Sequence, residues 1–254
     1  MRAAAFYAPH ELRLEERPVP PVGPGELLVR VSGCGLCGSD LAKIIHRTVP
    51  NATVLGHEVV GRVAAVGAGG ATTAGGVRLA EGDRVVVGHH VPCYACHYCK
   101  HGSVSQCRAF KASNLDPGGL AEYVRVPARN AVYATFPVGP GLADTEAAFT
   151  EPLACCLRAV KRAGLLLGDT VLVVGLGSIG LLMVQLARLA RATVVGSDPI
   201  AARRALALEL GASAVVDPGA GPPAEAARAA SGGRGADVVL LTATSGLLMA
   251  EALN

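Results

Sequence analysis

The sequence predicts an α/β protein in two parts, a compact β-rich domain over residues 1–150 and a doubly wound parallel sheet over 151–254. Three observations carry this. Short runs dense in Val and Ala, punctuated by Gly and Pro, fill the first part. Beyond Gly168-Asp169, apolar strand-like runs alternate with helical ones, the rhythm of a parallel sheet with helices on both faces. At the first strand-to-helix junction stands Gly175-Leu176-Gly177-Ser178-Ile179-Gly180, a tight turn opening a helix.

Taken in order, residues 2–7, 26–32, 59–67, 84–87 and 120–126 read as strands. Residues 18–24 form a stiff proline-rich connection and 67–76 a loose glycine-rich one. A brief helix is expected over 39–46, and helices over 145–149 and 152–161 carry the chain between domains. In the second part, strands are expected over 171–174, 192–196, 214–216 and 237–241. Helices are expected over 178–190, 200–210 with Gly211 as its stop, 223–230, and from 245 to 253.

Apolar residues make up 51% of the chain, enough for an Ala/Val/Leu core without any Trp. A net charge of +3 points to neither nucleic acid nor an anionic membrane. No charged-then-apolar leader follows Met1, so a cytoplasmic location is expected, with the eight cysteines as metal ligands or core thiols rather than disulfides. The uncharged run 171–187 approaches the length of a membrane span, but Gly175, Gly177, Ser178 and Gly180 inside it read as a turn.

Three motifs carry chemistry. The glycine motif follows an apolar strand and opens a helix, as a dinucleotide site requires: a tight turn, backbone near the pyrophosphate, and a helix N-terminus aimed at its charge. Asp198 closes the next strand, 18 residues beyond Gly180. A carboxylate there accepts hydrogen bonds from a ribose and repels a 2′-phosphate, favouring NAD over NADP, although Arg203 tempers the preference. Glycines that merely pack a helix on a strand are the plainer reading, and the acid in register argues against it.

The second motif is Cys93-x2-Cys96-x2-Cys99-x7-Cys107, in a lobe over about residues 90–110. Four such thiols wrap one tetrahedral zinc with no open position, a structural site. A ferredoxin run would place its fourth cysteine after three residues and follow it with Pro; here the gap is seven and Arg108 follows. A nucleic-acid zinc module would use Lys100, His101, Arg108 and Lys111 with Tyr94, Tyr98 and Phe110, but the near-neutral charge argues against it. His89, His90, His97 and His101 are expected to be solvated. Cys34, Cys155 and Cys156 are expected to be core thiols.

The third motif joins distant segments. Cys37 and His57 are good zinc ligands, and either Glu58 or Glu151 supplies a third. Asp40 would hold the His57 ring in one tautomer. Spacing alone leaves open whether His57 is a ligand or a satisfied core residue.

In this order and spacing, Cys37-Gly38-Ser39-Asp40, Gly56-His57-Glu58, the four-cysteine run and the glycine motif resemble the zinc-dependent medium-chain alcohol dehydrogenases. Glu151-Pro152-Leu153, where alcohol dehydrogenases proper carry a cysteine, is similar to the sorbitol and threonine (polyol) dehydrogenase branch. The resemblance covers the whole chain. It implies a GroES-like catalytic domain, a Rossmann NAD-binding domain and a cleft between them where a secondary alcohol or polyol gives its hydride to NAD. It also implies one catalytic and one structural zinc, and a homodimer or homotetramer acting on a small molecule. Residue by residue, it implies Cys37 and His57 as catalytic zinc ligands, with Glu58 able to ligate directly and Glu151 on the metal or its water, and it leaves open which of the two glutamates is the direct ligand. Ser39 would take the proton of the alcohol and Asp40 would brace His57. Gly175, Gly177, Ser178, Ile179, Gly180, Asp198 and Arg203 would contact the cofactor.

Two departures stand out. The family's proton-relay histidine, five residues after the catalytic cysteine, is here Ala42; His46 is a turn further along and reads as a surface residue, so modest activity or a shift to higher pH is expected. The cofactor sheet stops after four strands where the family has six, so an incomplete or inactive zinc-binding member is one alternative reading, with an exposed strand edge. A metal-free quinone reductase of the same fold is the other.

Overall fold

The computed structural model describes residues 1–8 and 11–243; the helix expected over 245–253 lies outside them. The chain divides into two compact units, Met1–Glu151 and Pro152–Asn254.

The first unit is a set of antiparallel sheets. Strands β1 (Arg2–Ala8), β2 (Glu11–Glu16), β3 (Leu27–Gly35), β4 (Thr53–Val54) and β5 (Glu58–Val66) lead into β6 (Ala71–Thr72), β7 (Arg78–Leu79) and β8 (Arg84–Val87), followed by β9 (Tyr123–Val126) and β10 (Thr135–Pro137). Five of them form one sheet in the order β10-β8-β5-β3-β9; β2-β1-β4 form a second and β6-β7 a short third. Period-2 alternation of Val against polar residues buries Leu27, Val29, Val59, Val63, Val85, Val87, Val124 and Val126 in one core. β2 was not expected: its Glu-Leu-Arg-Leu-Glu-Glu run is mostly exposed, held by β1 on one side only.

Two register details position the site. β3 and β5 run antiparallel with Gly35 opposite Glu58, and a register shift between Val31 and Gly33 bends the end of β3. Cys37 and His57 therefore leave the sheet at the same end, two residues after and one residue before that pair. β5 and β8 pair Val59 with Val87, so His89, two residues beyond Val87, leaves the sheet level with His57.

Helices of this unit are short: α1 (Gly38–His46), α2 (His97–Lys100), α3 (Arg108–Ala112), α4 (Ala128–Tyr133) and α5 (Asp144–Ala147). α6 (Thr150–Ala163) begins at the end of the first unit and continues into the second.

The second unit is a four-stranded parallel sheet. β11 (Thr170–Val174), β12 (Thr193–Ser197), β13 (Ala214–Val216) and β14 (Val238–Leu241) lie in the order β13-β12-β11-β14. Helices α7 (Ser178–Leu189), α8 (Ala201–Glu209) and α9 (Pro223–Ala230) make the crossovers. Val171, Val173 and Val194 pack on Met183, Val184, Ala187 and Ala207, while Leu172, Val174 and Val195 point to the opposite face, against Ala226 and Ala230 of α9. Burial on both faces explains the unbroken Thr-Val-Leu-Val-Val of β11. Among the described strands β14 is an edge. Cys155, expected in a core, is exposed, because it lies beside rather than on the buried stripe of α6 that carries Cys156 and Val160. Among the described residues no helix is long and apolar enough to cross a membrane.

Candidate metal centre and cofactor loop

Cys37 is the N-cap of α1: its Sγ accepts the Ser39 N–H at 3.4 Å, and the Asp40 carboxylate accepts the Cys37 N–H at 3.4 Å. This reciprocal cap satisfies two donors at the helix start and fixes the thiol's direction. Gly56, at φ +92°, makes the turn that delivers His57, and a side chain there would collide with Cys34 Sγ and the Leu120 backbone. Gly35 is bare for another reason: a β-carbon on it would sit inside the Glu58 carboxylate.

The result is a convergence of three unlike donors. One ligand atom each from Cys37, His57 and Glu58 lies within 4.8 Å of the others. Donors on a shared zinc stand about 3–4 Å apart, given bonds of ~2.0–2.3 Å, so small side-chain rotations complete the site. A second group, His57, His89 and Glu151, meets the same criterion.

Asp40 is wholly buried behind His57, its Oδ1 3.4 Å from Nδ1. That oxygen has no hydrogen-bond partner at proper geometry. Lys43 Nζ stands 3.7 Å from the same oxygen, and a buried carboxylate set against one ring nitrogen is the partner that orients a histidine whose other nitrogen holds a metal. Sulfur, imidazole and carboxylate together suit zinc. On both counts the residues fit the metal.

Electrostatics separate the two neighbouring histidines. Burial works against charge on His57, but the Asp40 carboxylate outweighs it, helped by Cys37 and Glu151, and raises its pKa to about 9. Burial, reinforced by electrostatic opposition from the neighbouring His90, His57 and Lys43, pushes His89 down to about 3, so it is a neutral ring. Burial raises Glu58, with the charges of Glu151 and Asp40 adding to it. The expectation that His89 and His90 are solvated is corrected: both are half-buried in a stack running from His57 through His89 and His90 to Phe110, with centroids 4.5, 3.8 and 4.7 Å apart. His97 and His101 are exposed. Ala42 and His46 are exposed on α1, and so is Ser39 in its first turn.

In the cysteine lobe the ligand atoms of Cys93, Cys96, Cys99 and Cys107 lie within 4.8 Å of one another. Sulfur separations of 3.5 Å (Cys96–Cys99) and 3.9 Å (Cys93–Cys99) bracket the ~3.8 Å edge of a tetrahedron with ~2.3 Å zinc–sulfur bonds. Backbone N–H groups of Cys96 and Cys93 donate to Cys93 Sγ and Cys107 Sγ at 3.2 and 3.3 Å. Amides of Cys93 and Phe110 pull the Cys107 thiol down to about 6.

In the second unit, Gly177 caps α7 and Ser178 opens it. Gly180 has no room for a side chain, since a β-carbon would overlap the Gly175 carbonyl. Asp198, 3% exposed, accepts the Leu176 and Ile200 N–H groups at 2.8 Å each, with Arg203 3.4 Å away. Burial opposes its charge, yet those two amides and Arg203 hold the carboxyl below its usual range. Arg204, which sequence reasoning passed over, donates to the Asp198 carbonyl at 2.7 Å and pairs with Asp217 at 3.0 Å.

A thiol-imidazole-carboxylate cluster, a four-thiol lobe and a glycine turn on a parallel sheet are the features a zinc-dependent dehydrogenase with a nucleotide-binding half would need. Comparison with known proteins agrees. The alcohol dehydrogenase GroES-like domain family matches residues 23–136, and the zinc-binding dehydrogenase family matches residues 178–254. The chain is 35% identical to the erythritol/L-threitol dehydrogenase of Mycolicibacterium smegmatis, over 94% of this chain and 69% of that protein. It is 30% identical to a sorbitol dehydrogenase of Bacillus subtilis, over 100% of this chain and 71% of the other. A protein from Sinorhizobium meliloti 1021, classed as a zinc-binding dehydrogenase and bound to NADP, superposes with a TM-score of 0.81 at 36% identity, over 98% of this chain and 71% of that one. The chain belongs to the zinc-dependent medium-chain alcohol and polyol dehydrogenase family.

Proposed function

We propose that this chain serves an oxidoreductase that transfers hydride from a secondary alcohol or polyol to NAD, with Cys37, His57 and Glu58 holding the catalytic zinc. The observation that carries the reading is the convergence of those three donors within 4.8 Å, from segments far apart in sequence. When bound, zinc supplies the Lewis acidity that lets an alcohol release its proton near neutral pH, and NAD supplies the acceptor for the hydride.

The protein's own residues do the rest. Asp40 engages the His57 ring at Nδ1, which leaves Nε2 as the nitrogen for a metal. Glu151 stands beside His57 as an adjacent carboxylate. Ser39, at the mouth of α1, takes the proton of the alcohol, and with Ala42 at the relay position it passes the proton to water. The four thiols Cys93, Cys96, Cys99 and Cys107 hold a second, structural zinc. In the other unit, Gly175, Gly177, Ser178, Ile179 and Gly180 receive the pyrophosphate at the start of α7, and Asp198 receives the adenosine ribose. Asp198 Oδ1 accepts the Ile200 N–H and keeps a lone pair for a ribose hydroxyl, while Oδ2 accepts from both the Leu176 N–H and Arg203; the carboxylate charge disfavours a 2′-phosphate, which supports NAD over NADP despite Arg203.

The test combines elemental analysis with NADH formation on a panel of polyols, secondary alcohols and threonine. Two zinc ions per chain and turnover of at least one such substrate are expected. A single zinc, or none, with no turnover of any would favour a non-catalytic or metal-free member of the fold.

A further inference from the structure

We propose that the metal of this centre has two alternative resting positions pivoting on His57, an inner one on Cys37, His57 and Glu58 and an outer one on His57, His89 and Glu151. The inference rests on reading the centre as a metal site and goes beyond it by giving His89 a ligand's role.

The geometry comes from the sheet. Pairing of Val59 with Val87 brings His57 and His89 off adjacent strands at the same level. Their rings lie 4.5 Å apart between centroids at 45°, tilted rather than stacked flat, so nitrogen lone pairs can converge on a common point. Glu151, in the first turn of α6, closes the triangle, and all three ligand atoms lie within 4.8 Å of one another.

Only one ion fits at a time. Nδ1 of His57 faces Asp40, which leaves the single lone pair of Nε2 for a metal. The two donor sets therefore compete for one cation rather than forming a two-metal site. They also differ in charge. The inner set brings a thiolate and a carboxylate; the outer brings one carboxylate and two neutral rings. An ion in the outer position keeps one more unit of positive charge, and so draws an oxygen ligand more strongly. The two donor sets, which share His57, would hold the same ion at different electrophilicity.

The experiment uses the full chain and zinc itself. Wild type, Cys37→Ser, Cys37→Ser/His89→Ala, Glu58→Gln and Glu58→Gln/His89→Ala are equilibrated at buffered free zinc, and zinc per chain and affinity are read by chelator competition. The lobe zinc and far-ultraviolet circular dichroism report folding. Serine at position 37 retains an N-cap for α1. We expect two zinc ions in wild type and two in Cys37→Ser, the second held more weakly. Adding His89→Ala should weaken that second ion by more than about tenfold, the lower end of the cost of losing even an indirect metal partner. Identical titrations for Cys37→Ser and Cys37→Ser/His89→Ala would overturn the outer position while leaving the metal centre standing. If Cys37→Ser loses its fold, Glu58→Gln against Glu58→Gln/His89→Ala carries the same comparison. Wild type holding only the lobe zinc would remove both the centre and this inference.

Discussion

Replacing Asp40 with Asn should change how zinc binding depends on pH, and the structure sets the size of the effect. In the metal-free protein Asp40 raises His57 to about 9, against a burial effect that pulls the other way. His57 is therefore protonated below that pH, and zinc must displace the proton. At pH 7, two units below, about one copy in a hundred has a free ring, a cost of about 2.7 kcal/mol at 1.36 kcal/mol per unit. Without the Asp40 charge, burial dominates and His57 is neutral at pH 7, so this competition disappears. The variant also loses the partner that orients the ring, which costs roughly 10–100-fold in affinity. The two effects nearly cancel at pH 7. Near pH 9.5 only the loss remains, and Asp40→Asn should bind zinc about 10–100-fold more weakly than wild type. Between pH 7 and 9 the wild-type affinity should climb about tenfold more per unit than the variant's, because only the wild type must release the His57 proton there. Chelator competition across that range measures it. Parallel curves for the two proteins would refute the role assigned to Asp40.

Further outcomes follow from other parts of the structure. Cys107→Ser should cost one zinc ion per chain and open the lobe to limited proteolysis, because α2 and α3 are short and gather around those thiols. In Gly180→Ala the new methyl overlaps the Gly175 carbonyl, so α7 must shift from β11; a stability loss of about 1–3 kcal/mol by urea titration and weaker NADH binding by fluorescence are expected. Asp198→Ala strands the Leu176 and Ile200 amides, costing about 1–3 kcal/mol. The Asp198 carboxyl is held low, so its contribution is present above pH ~3.9 and is lost as pH falls below that. The same variant should raise the NADP-to-NAD affinity ratio at least about fivefold, from ~1 kcal/mol of removed repulsion at 4 Å in water.

Much of this architecture was legible because its signals are local. The strand-turn-helix around Gly175–Gly180 and the acid closing β12 are set by periodicity and by glycines that packing demands. The candidate donors are legible as residue types at the ends of elements. Their partition is not: the structure groups Glu58 with Cys37 and Glu151 with His89, a consequence of pairing between distant strands that spacing cannot supply. The expectation that His89 is solvated follows from the four neighbouring thiols, which already satisfy an ion in the lobe. The position of His89 two residues after a strand, mirroring His57 two residues before Val59 on another, was the signal to follow. Strand β2 escaped because a strand paired on one side, with mostly exposed residues, carries no apolar alternation.

One cation is held on His57 in both donor sets. Anomalous scattering at the zinc edge, from crystals of the protein grown with zinc, tests it directly. Two peaks per chain are predicted, one among the four lobe thiols and one within about 2.0–2.3 Å of both Cys37 Sγ and His57 Nε2 in the inner position, or of His57 Nε2 and His89 in the outer. A single peak confined to the lobe, with His57 well ordered and bare, would contradict the account.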